Sequence, residues 1–210
     1  MKRNIEHICF DLDGVLVDSL HVMEEAWRTV QASYGLEIDF AEYRARIGIP
    51  FFQILKLIGI PAELHAPLKD NYDKISIDLQ YNVRVFDGVR DTLNELTKMD
   101  IGLSILTSKS RSRAISLITT LSLDQYFNFI LCPEDLPDGH SKPNALALEK
   151  VSQLAGVAKN KMIFVGDMKT DMECATAAEV MYLHCEYGYE SEKLATNKVN
   201  SFRDILGVIN

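Results

Sequence analysis

The sequence predicts an α/β fold built on a parallel sheet. Three short apolar runs, residues 8–10, 101–106 and 162–165, end at polar or turn residues, and helical patterns lie between them. Buried parallel strands have this character because both of their faces are covered. In open parallel sheets, ligands bind beyond the carboxyl ends of the strands. We therefore expect a functional site where these runs end.

The first run ends at a pair of aspartates, Asp11 and Asp13, followed by Gly14. Residues two apart on an extended chain point the same way, so both carboxylates can face one site. Gly14 allows the backbone to turn sharply after them. One aspartate can attack phosphorus while the other moves protons, provided that a positive charge, normally a metal ion, neutralises the oxyanion.

Polar residues that suit the same chemistry follow the other two runs. Thr107 and Ser108 come after the second run, and Lys109 follows them. Asp167 ends the third run, and Asp171 lies four residues further on. A fourth piece, Lys142, stands just before a predicted helix that begins near residue 144.

The order of the remaining elements predicts an inserted helical module. The segment from residue 14 to residue 106 is far longer than the helix-sized crossover that joins neighbouring parallel strands. Its apolar spacing predicts helices at residues 20–30, 40–47, 51–58 and 62–79. From residue 87 the alternation returns, with helices at 88–99, 113–121, 144–154 and after 170, and strands at 101–106, 127–131, 162–165 and 180–184.

Taken in order, the four pieces resemble the four motifs of the haloacid dehalogenase (HAD) superfamily, particularly its phosphatase branch. The motifs read Asp11-x-Asp13-Gly14, Thr107, Lys142 and Gly166-Asp167-x-x-x-Asp171. Each motif alone is frequent by chance, whereas all four in order at strand ends or helix starts form a specific signal. The likeness covers almost the whole chain, up to Tyr187-Gly188-Tyr189, which is similar to a turn in phosphoglycolate-phosphatase-like members.

The resemblance implies a three-layer, Rossmann-like sandwich. In it the strand that carries Asp11 is central, between the strands that carry Thr107 and Asp167. Residues 1–17 and 83–210 would form the catalytic core, and residues 18–82 an α-helical cap. Residues 15–19 would be a mobile turn ahead of the cap, whose closure excludes water from the site.

The family mechanism, carried to the matching positions, makes Asp11 the nucleophile that forms an aspartyl-phosphate and Asp13 the acid/base. Thr107, Ser108 and Lys142 would bind the phosphate oxygens.

The resemblance also implies one Mg²⁺ ion, bound by Asp11, the backbone carbonyl of Asp13 and Asp167. Octahedral oxygen ligation of this kind suits Mg²⁺. Asp171 would play a supporting role, either through water or by orienting Lys142.

Basic residues provide further candidates for contact with an anionic substrate. Lys109, Arg111 and Arg113 follow the second run and could contact an anionic substrate, and a solvated helix face is the competing interpretation. Of the three, we retain only Lys109 as a candidate. Arg46 lies where related caps present a loop to the substrate, and plain surface charge is the competing interpretation.

Composition restricts the possible partners and the location. The chain of 210 residues has a net charge of −8 and no long basic run, which argues against non-specific nucleic-acid binding. It has neither an apolar segment of the ~20 residues that a membrane span needs nor a signal-peptide core at its start. We therefore expect a cytoplasmic monomer or homodimer without a membrane partner. The four cysteines lack metal-site spacing and are predicted to be reduced core residues.

Alternative functions stay open at this level. The leading interpretation is a Mg²⁺-dependent phosphatase that acts on a small phosphorylated metabolite. A sugar phosphomutase of the β-phosphoglucomutase kind shares all four motifs. A regulatory protein on the same scaffold would have lost a catalytic group, and dehalogenase chemistry does not require an acid/base at Asp13.

Overall fold

The computed structural model describes residues 4–190 and 197–209. The strands are β1 (His7–Phe10), β2 (Val17–Asp18), β3 (Arg84–Val85), β4 (Gly102–Leu106), β5 (Phe129–Leu131), β6 (Met162–Gly166), β7 (Met181–Cys185) and β8 (Lys198–Val199). The α-helices are α1 (Leu20–Ser33), α2 (Phe40–Arg44), α3 (Phe51–Leu57), α4 (Ala62–Asp78), α5 (Val89–Lys98), α6 (Arg111–Thr120), α7 (Ala145–Ala155), α8 (Lys169–Ala178) and α9 (Ile205–Ile209). Short 3₁₀ turns lie between several of them.

The main sheet is parallel, with the strand order β5-β4-β1-β6-β7-β8. Strand β1 pairs with β4 on one side and β6 on the other, so His7 lies opposite both Gly102 and Met162. This order confirms that the strand leading to Asp11 is flanked by those leading to Thr107 and Asp167. Because the three strands run the same way, their carboxyl ends meet at one edge.

Helices cover both faces of this sheet, which confirms the predicted three-layer sandwich. Ile8 and Phe10 of β1 belong to the apolar core on one face, whereas Cys9 belongs to the core on the other. Burial on both faces explains why the central strands are short apolar runs without polar alternation. All four cysteines are free and buried, as predicted.

Helices α1 to α4 enclose a third apolar cluster that is rich in aromatic residues. The rings of Trp27 and Tyr43 stack with centroids 4.9 Å apart, and those of Phe51 and Tyr72 with centroids 4.6 Å apart. These helices lie between β2 and β3, which form a separate antiparallel ribbon. The division into a core and a cap at residues 18–82 stays a prediction.

The observed elements differ from the predicted ones mainly at their ends. Helix α2 stops at Arg44 rather than at residue 47, because the chain turns towards Gly48, which has a φ of +105°. Strands β2, β3 and β8 were not predicted, since two residues are too few for a periodic pattern. Among the described residues, the helices are too short or too polar to cross a membrane.

A buried histidine in β1 makes the stability of this fold depend on pH. His7 is 2% exposed, and its Nε2 lies 2.8 Å from the hydroxyl of Ser104. Burial lowers the pKa of His7 to about 4. Since the unfolded chain protonates this histidine near pH 6.5, its contribution is fully present above that value and is lost as the pH falls towards 4.

We expect the free energy of unfolding to fall by roughly 2 kcal/mol between pH 7.5 and pH 5 because of His7. His7→Gln removes the titration and should reduce the pH dependence by that amount, measured by urea unfolding at both values. His140→Gln, at a loop position, is the control and should leave the pH dependence unchanged. A His7→Gln protein with the full wild-type pH dependence would contradict this assignment.

Candidate active site

The carboxyl ends of β1, β4 and β6 bring the predicted residues together. Asp11, Asp13, Thr107 and Asp167 are all buried at this edge, and Lys142 reaches it from the loop before α7. A cavity of about 40 Å³ opens there. Six of the predicted residues line it: Asp11, Asp13, Thr107, Ser108, Lys109 and Lys142. Its other wall comes mainly from apolar residues of the helical insertion.

Lys142 joins two of the aspartates. Its Nζ lies 2.9 Å from Oδ1 of Asp11 and 2.7 Å from Oδ1 of Asp171. Burial alone would disfavour the ammonium, but the two carboxylates outweigh it, so the pKa of Lys142 is raised. The lysine is therefore a fixed positive charge beside Asp11.

The carboxyl group of Asp11 has a raised pKa. Burial raises the pKa of Asp11 to about 7, while Lys142 opposes the rise and the charge of Asp171 adds to it. A carboxylate must be ionised to act as a nucleophile. Positive charge at this site consequently determines how much of Asp11 is ionised near neutral pH.

Asp171 is fixed at the start of α8. Its Oδ2 accepts hydrogen bonds from the backbone N–H groups of Asp167, at 3.2 Å, and Met168, at 3.0 Å. Its Oδ1 contacts Lys142. With both oxygens occupied, Asp171 is well suited to orient Lys142, which is one of the two predicted supporting roles.

Asp167 presents a free carboxylate oxygen. Oδ2 accepts a hydrogen bond of 2.7 Å from the backbone N–H of Tyr189, whereas Oδ1 is buried without a hydrogen-bond partner among the described residues. Burial, together with Asp171 and Asp11, raises the pKa of Asp167.

Two glycines allow the backbone to approach Asp167. A Cβ at Gly14, which has a φ of +86°, would lie 2.1 Å from Asp167 Oδ2, and one at Gly188 would lie 2.2 Å from Asp167 Cβ. Only residues without a side chain fit at these two positions. The turn at residues 187–189 is thereby part of the site.

The acidic residues fit a divalent cation. Carboxylate oxygens of Asp11, Asp167 and Asp171 lie within 4.8 Å of one another. The unpartnered Oδ1 of Asp167 and the excess of negative charge over the single Lys142 both favour an added cation. An all-oxygen donor set suits Mg²⁺. Two of the predicted ligands, Asp11 and Asp167, belong to this cluster.

The side chain of Asp13 points to different partners. Its Oδ2 lies 3.1 Å from Nζ of Lys109, and its Oδ1 accepts a hydrogen bond from the hydroxyl of Ser19. The backbone N–H of Ser19 in turn donates a hydrogen bond of 2.7 Å to the phenol oxygen of Tyr189. The metal contact through the backbone carbonyl of Asp13, which the family resemblance implies, stays a prediction.

Lys109 lies in the cavity as a partner of Asp13. Burial and the charge of Arg113 lower the pKa of Lys109 to about 8, although Asp13 opposes this change. Thr107 Oγ1 accepts a hydrogen bond of 3.1 Å from the backbone N–H of Lys109. Ser108 contacts the helical insertion, because its hydroxyl donates to the backbone carbonyl of Gly48 at 2.6 Å.

The remaining basic residues lie in contrasting places. Arg46 pairs with Glu42 at 2.9 Å and is not among the residues that line the cavity. Arg111 is exposed, in agreement with the solvated-face interpretation. For Arg113 that interpretation is wrong, because this residue is 7% exposed and lines the cavity. Helix α4 covers Arg113, and this packing is not visible in the sequence spacing.

Sequence reasoning missed Ser19 and Tyr189 as members of the site and did not retain Arg113 as a candidate. The turn at 187–189 was recognised only as a turn, and Ser19 only as the end of a mobile segment. The signal available for Ser19 was its position, because its hydroxyl lies in the short segment between Asp13 and the first inserted helix. No sequence signal separated Arg113 from its exposed neighbour Arg111.

Comparison with known proteins identifies the family of this chain. The model of the haloacid dehalogenase-like hydrolase family matches residues 8–184. The chain belongs to this family. It is 31% identical over 200 residues to a phosphoglycolate phosphatase of Pseudomonas syringae pv. syringae, with 87% of this chain and 70% of that protein covered. A phosphoglycolate phosphatase of Chromobacterium violaceum is 28% identical, with 97% of each chain covered.

Solved structures share the fold of this HAD hydrolase. CbbY from Rhodobacter sphaeroides, solved in complex with phosphate, has a TM-score of 0.86 and 17% identity over 98% of this chain and 99% of that chain. A haloacid dehalogenase-like hydrolase from Streptococcus pneumoniae has a TM-score of 0.83 and 21% identity, with 99% of each chain covered.

Removal of the lysine charge should destabilise this HAD hydrolase strongly. Lys142→Met leaves Asp11 and Asp171 buried without a counter-charge, so we expect a loss of about 3–5 kcal/mol in urea unfolding with a chelator present. Lys159→Met is the control, since Lys159 is partly exposed and lies 3.8 Å from Glu149. Its effect should stay within about 0.5 kcal/mol. Equal effects of the two substitutions would contradict the central role of Lys142.

Proposed function

We propose that this HAD hydrolase is a Mg²⁺-dependent phosphatase that hydrolyses a small phosphate monoester through an aspartyl-phosphate on Asp11. The observation that carries the proposal is the convergence of Asp11, Asp13, Thr107 and Lys142 on one cavity. The names of the curated relatives, which are phosphoglycolate phosphatases, support the same reaction class.

In the first step, a carboxylate oxygen of Asp11 attacks the phosphorus in line. The new bond joins Asp11 to phosphorus, and the bond from phosphorus to the alcohol oxygen breaks. Asp13 gives its proton to the departing alcohol. In the second step, Asp13 takes a proton from water, which displaces Asp11 and releases inorganic phosphate.

Positive charge and fixed donors would stabilise the phosphoryl oxygens during both steps. Lys142 supplies a buried ammonium, and Thr107 and the backbone N–H of Ser108 supply hydrogen-bond donors. A bound Mg²⁺, held by Asp11, Asp167 and the Asp13 carbonyl, would neutralise the charge of the transferred group. Asp171 would keep Lys142 aimed at Asp11.

We propose that residues 18–82 act as a cap over this site. The cavity of about 40 Å³ is much smaller than the ~300 Å³ or more of typical ligand pockets, so a substrate requires the helical insertion to move away. The hydrogen bond between Ser108 and Gly48 would break in that movement. The predicted cytoplasmic location and monomeric or dimeric state stay predictions.

Phosphate release tests the nucleophile. A panel of phosphorylated metabolites and an aryl phosphate should give release with Mg²⁺ that is lost with chelator. Asp11→Asn should reduce release to background while the circular dichroism spectrum is unchanged. Asp91→Asn, an exposed aspartate in the first turn of α5, is the control and should retain full activity. Release by Asp11→Asn at the wild-type rate would exclude the mechanism.

The acid/base role of Asp13 has its own test. Asp13→Asn should lower the turnover rate by ~10²- to 10⁴-fold, because a carboxamide cannot transfer the proton. The loss should be smaller for an aryl phosphate, whose leaving group needs little protonation. An equal loss on both ester types would assign Asp13 a structural role. A bisphosphate-dependent sugar isomerisation without phosphate release would instead identify a mutase.

Metal binding can be measured without activity. Mg²⁺ should raise the melting temperature of the wild type by mass action, and Asp167→Asn should abolish this rise. In chelator, Asp167→Asn should be at least as stable as the wild type, because it removes a buried charge that Asp11 and Asp171 repel. Asp91→Asn should respond to Mg²⁺ like the wild type. A Mg²⁺-dependent rise that survives Asp167→Asn would exclude this ligand.

A further inference from the structure

Arg113 is a buried cation that the proposed reaction does not use. It lies in the first turn of α6, is 7% exposed and lines the same cavity as Asp11, Thr107 and Lys142. A charge in this position is costly unless it is paired and hydrogen-bonded. The contacts of Arg113 therefore indicate whether it has only a structural role or can also bind a ligand.

Arg113 forms an ion pair with one carboxylate but no hydrogen bond to it. Nη1 lies 3.6 Å from Oδ1 of Asp73 on α4, which is too long for a hydrogen bond. The other oxygen of Asp73 is already engaged, because it accepts from Lys69 at 2.6 Å and from Ser110 at 3.0 Å. Among the described residues, neither Nε of Arg113 nor Oδ1 of Asp73 has a hydrogen-bond partner.

The other two cations that line the cavity, Lys142 and Lys109, are already paired with carboxylates. Lys142 contacts Asp11 and Asp171 at hydrogen-bond distance, and Lys109 contacts Asp13 at 3.1 Å. Of the cations that line the cavity in the described part of the chain, Arg113 is thus the one without a hydrogen-bonded carboxylate.

Aromatic packing holds the guanidinium in place. Its central carbon lies 4.6 Å from the ring centroid of Tyr72, and the hydroxyl of Tyr43 donates to that of Tyr72 at 3.0 Å. A guanidinium held against a ring loses little further freedom when it binds a planar anion through two parallel hydrogen bonds.

We propose that Arg113 is a specificity-determining residue that binds a carboxylate on the alcohol part of the phosphate ester. The inference rests on the proposed function, because it assigns the phosphoryl group to Lys142 and Thr107 at the other part of the same cavity. A carboxylate fits the planar fork of arginine, and because Arg113, Lys142 and Thr107 line one cavity, the two anionic groups of the ester must be close together. The preferred substrate is then a short phosphorylated hydroxy acid.

A matched pair of esters tests this assignment. Phosphoglycolate and 2-hydroxyethyl phosphate have the same chain length, and only the first carries a carboxylate. For the wild type we expect a higher kcat/KM on phosphoglycolate. Arg113→Gln should reduce the ratio of the two kcat/KM values roughly 10- to 100-fold, mainly through KM for the carboxylate ester. Arg113→Lys should reduce it less, since charge remains while the fork is lost.

Arg111→Gln is the control, because Arg111 begins the same helix but is 45% exposed and pairs with Asp135 outside the cavity. It should leave the ratio unchanged. If Arg113→Gln and Arg113→Lys lower both esters equally, Arg113 only supports the contact between α4 and α6, and the inference is overturned. An unchanged ratio overturns it as well.

Calorimetric binding separates this inference from the proposed function. If the wild type hydrolyses neither these two esters nor any member of the panel, the phosphatase proposal fails, and binding of both esters to wild type and Arg113→Gln decides the role of Arg113. Tighter wild-type binding of phosphoglycolate that is lost in Arg113→Gln would still support the carboxylate site. Equal affinities for the two esters, or no binding of phosphoglycolate, would overturn it.

Discussion

The ammonium of Lys142 between Asp11 and Asp171 is the interaction on which the rest of this site depends. The parallel sheet brings three aspartates together at one edge, where burial raises the pKa of Asp11 and of Asp167. One fixed cation keeps this arrangement compatible with folding and keeps Asp11 ionisable near neutral pH. Asp171 is itself held by the first backbone N–H groups of α8, so the charge balance is tied to the packing of β6 and α8.

The second aspartate of the pair belongs to a different network. Asp13 is held by Lys109, which follows β4, and by Ser19, which immediately precedes α1. Two carboxylates that stand two residues apart therefore have separate environments. Asp11 faces Lys142, and Asp13 faces the helical insertion through Ser19. Such a separation of environments is what allows a pair of aspartates to divide nucleophilic and proton-transfer roles. The contact through Ser19 also connects the proposed cap to Asp13, the proposed acid/base.

The sequence was sufficient for the central strands of the sheet and for the polar residues that follow them, because short apolar runs that end at aspartate, threonine and glycine identify both at once. It was not sufficient for contacts made by helix packing. The burial of Arg113 depends on how α4 lies across α6, and no spacing within either helix specifies that crossing. The pairing of Lys109 with Asp13 likewise depends on the side-chain geometry at the ends of β1 and β4. The two-residue strands β2 and β3 were too short to leave a pattern.

The charges that surround the cavity also determine how an ester would be oriented. In the proposed reaction, Lys142 and Thr107 hold the tetrahedral phosphoryl group that Asp11 attacks. Arg113 suits a planar anion, and the carboxylate of Asp73 that faces it is bound to Lys69. An ester with one anionic group could bind at either place, and only one of these leads to reaction. An ester with a phosphoryl group and a carboxylate satisfies both cations in a single orientation, so the second charge improves positioning for the chemical step as well as affinity.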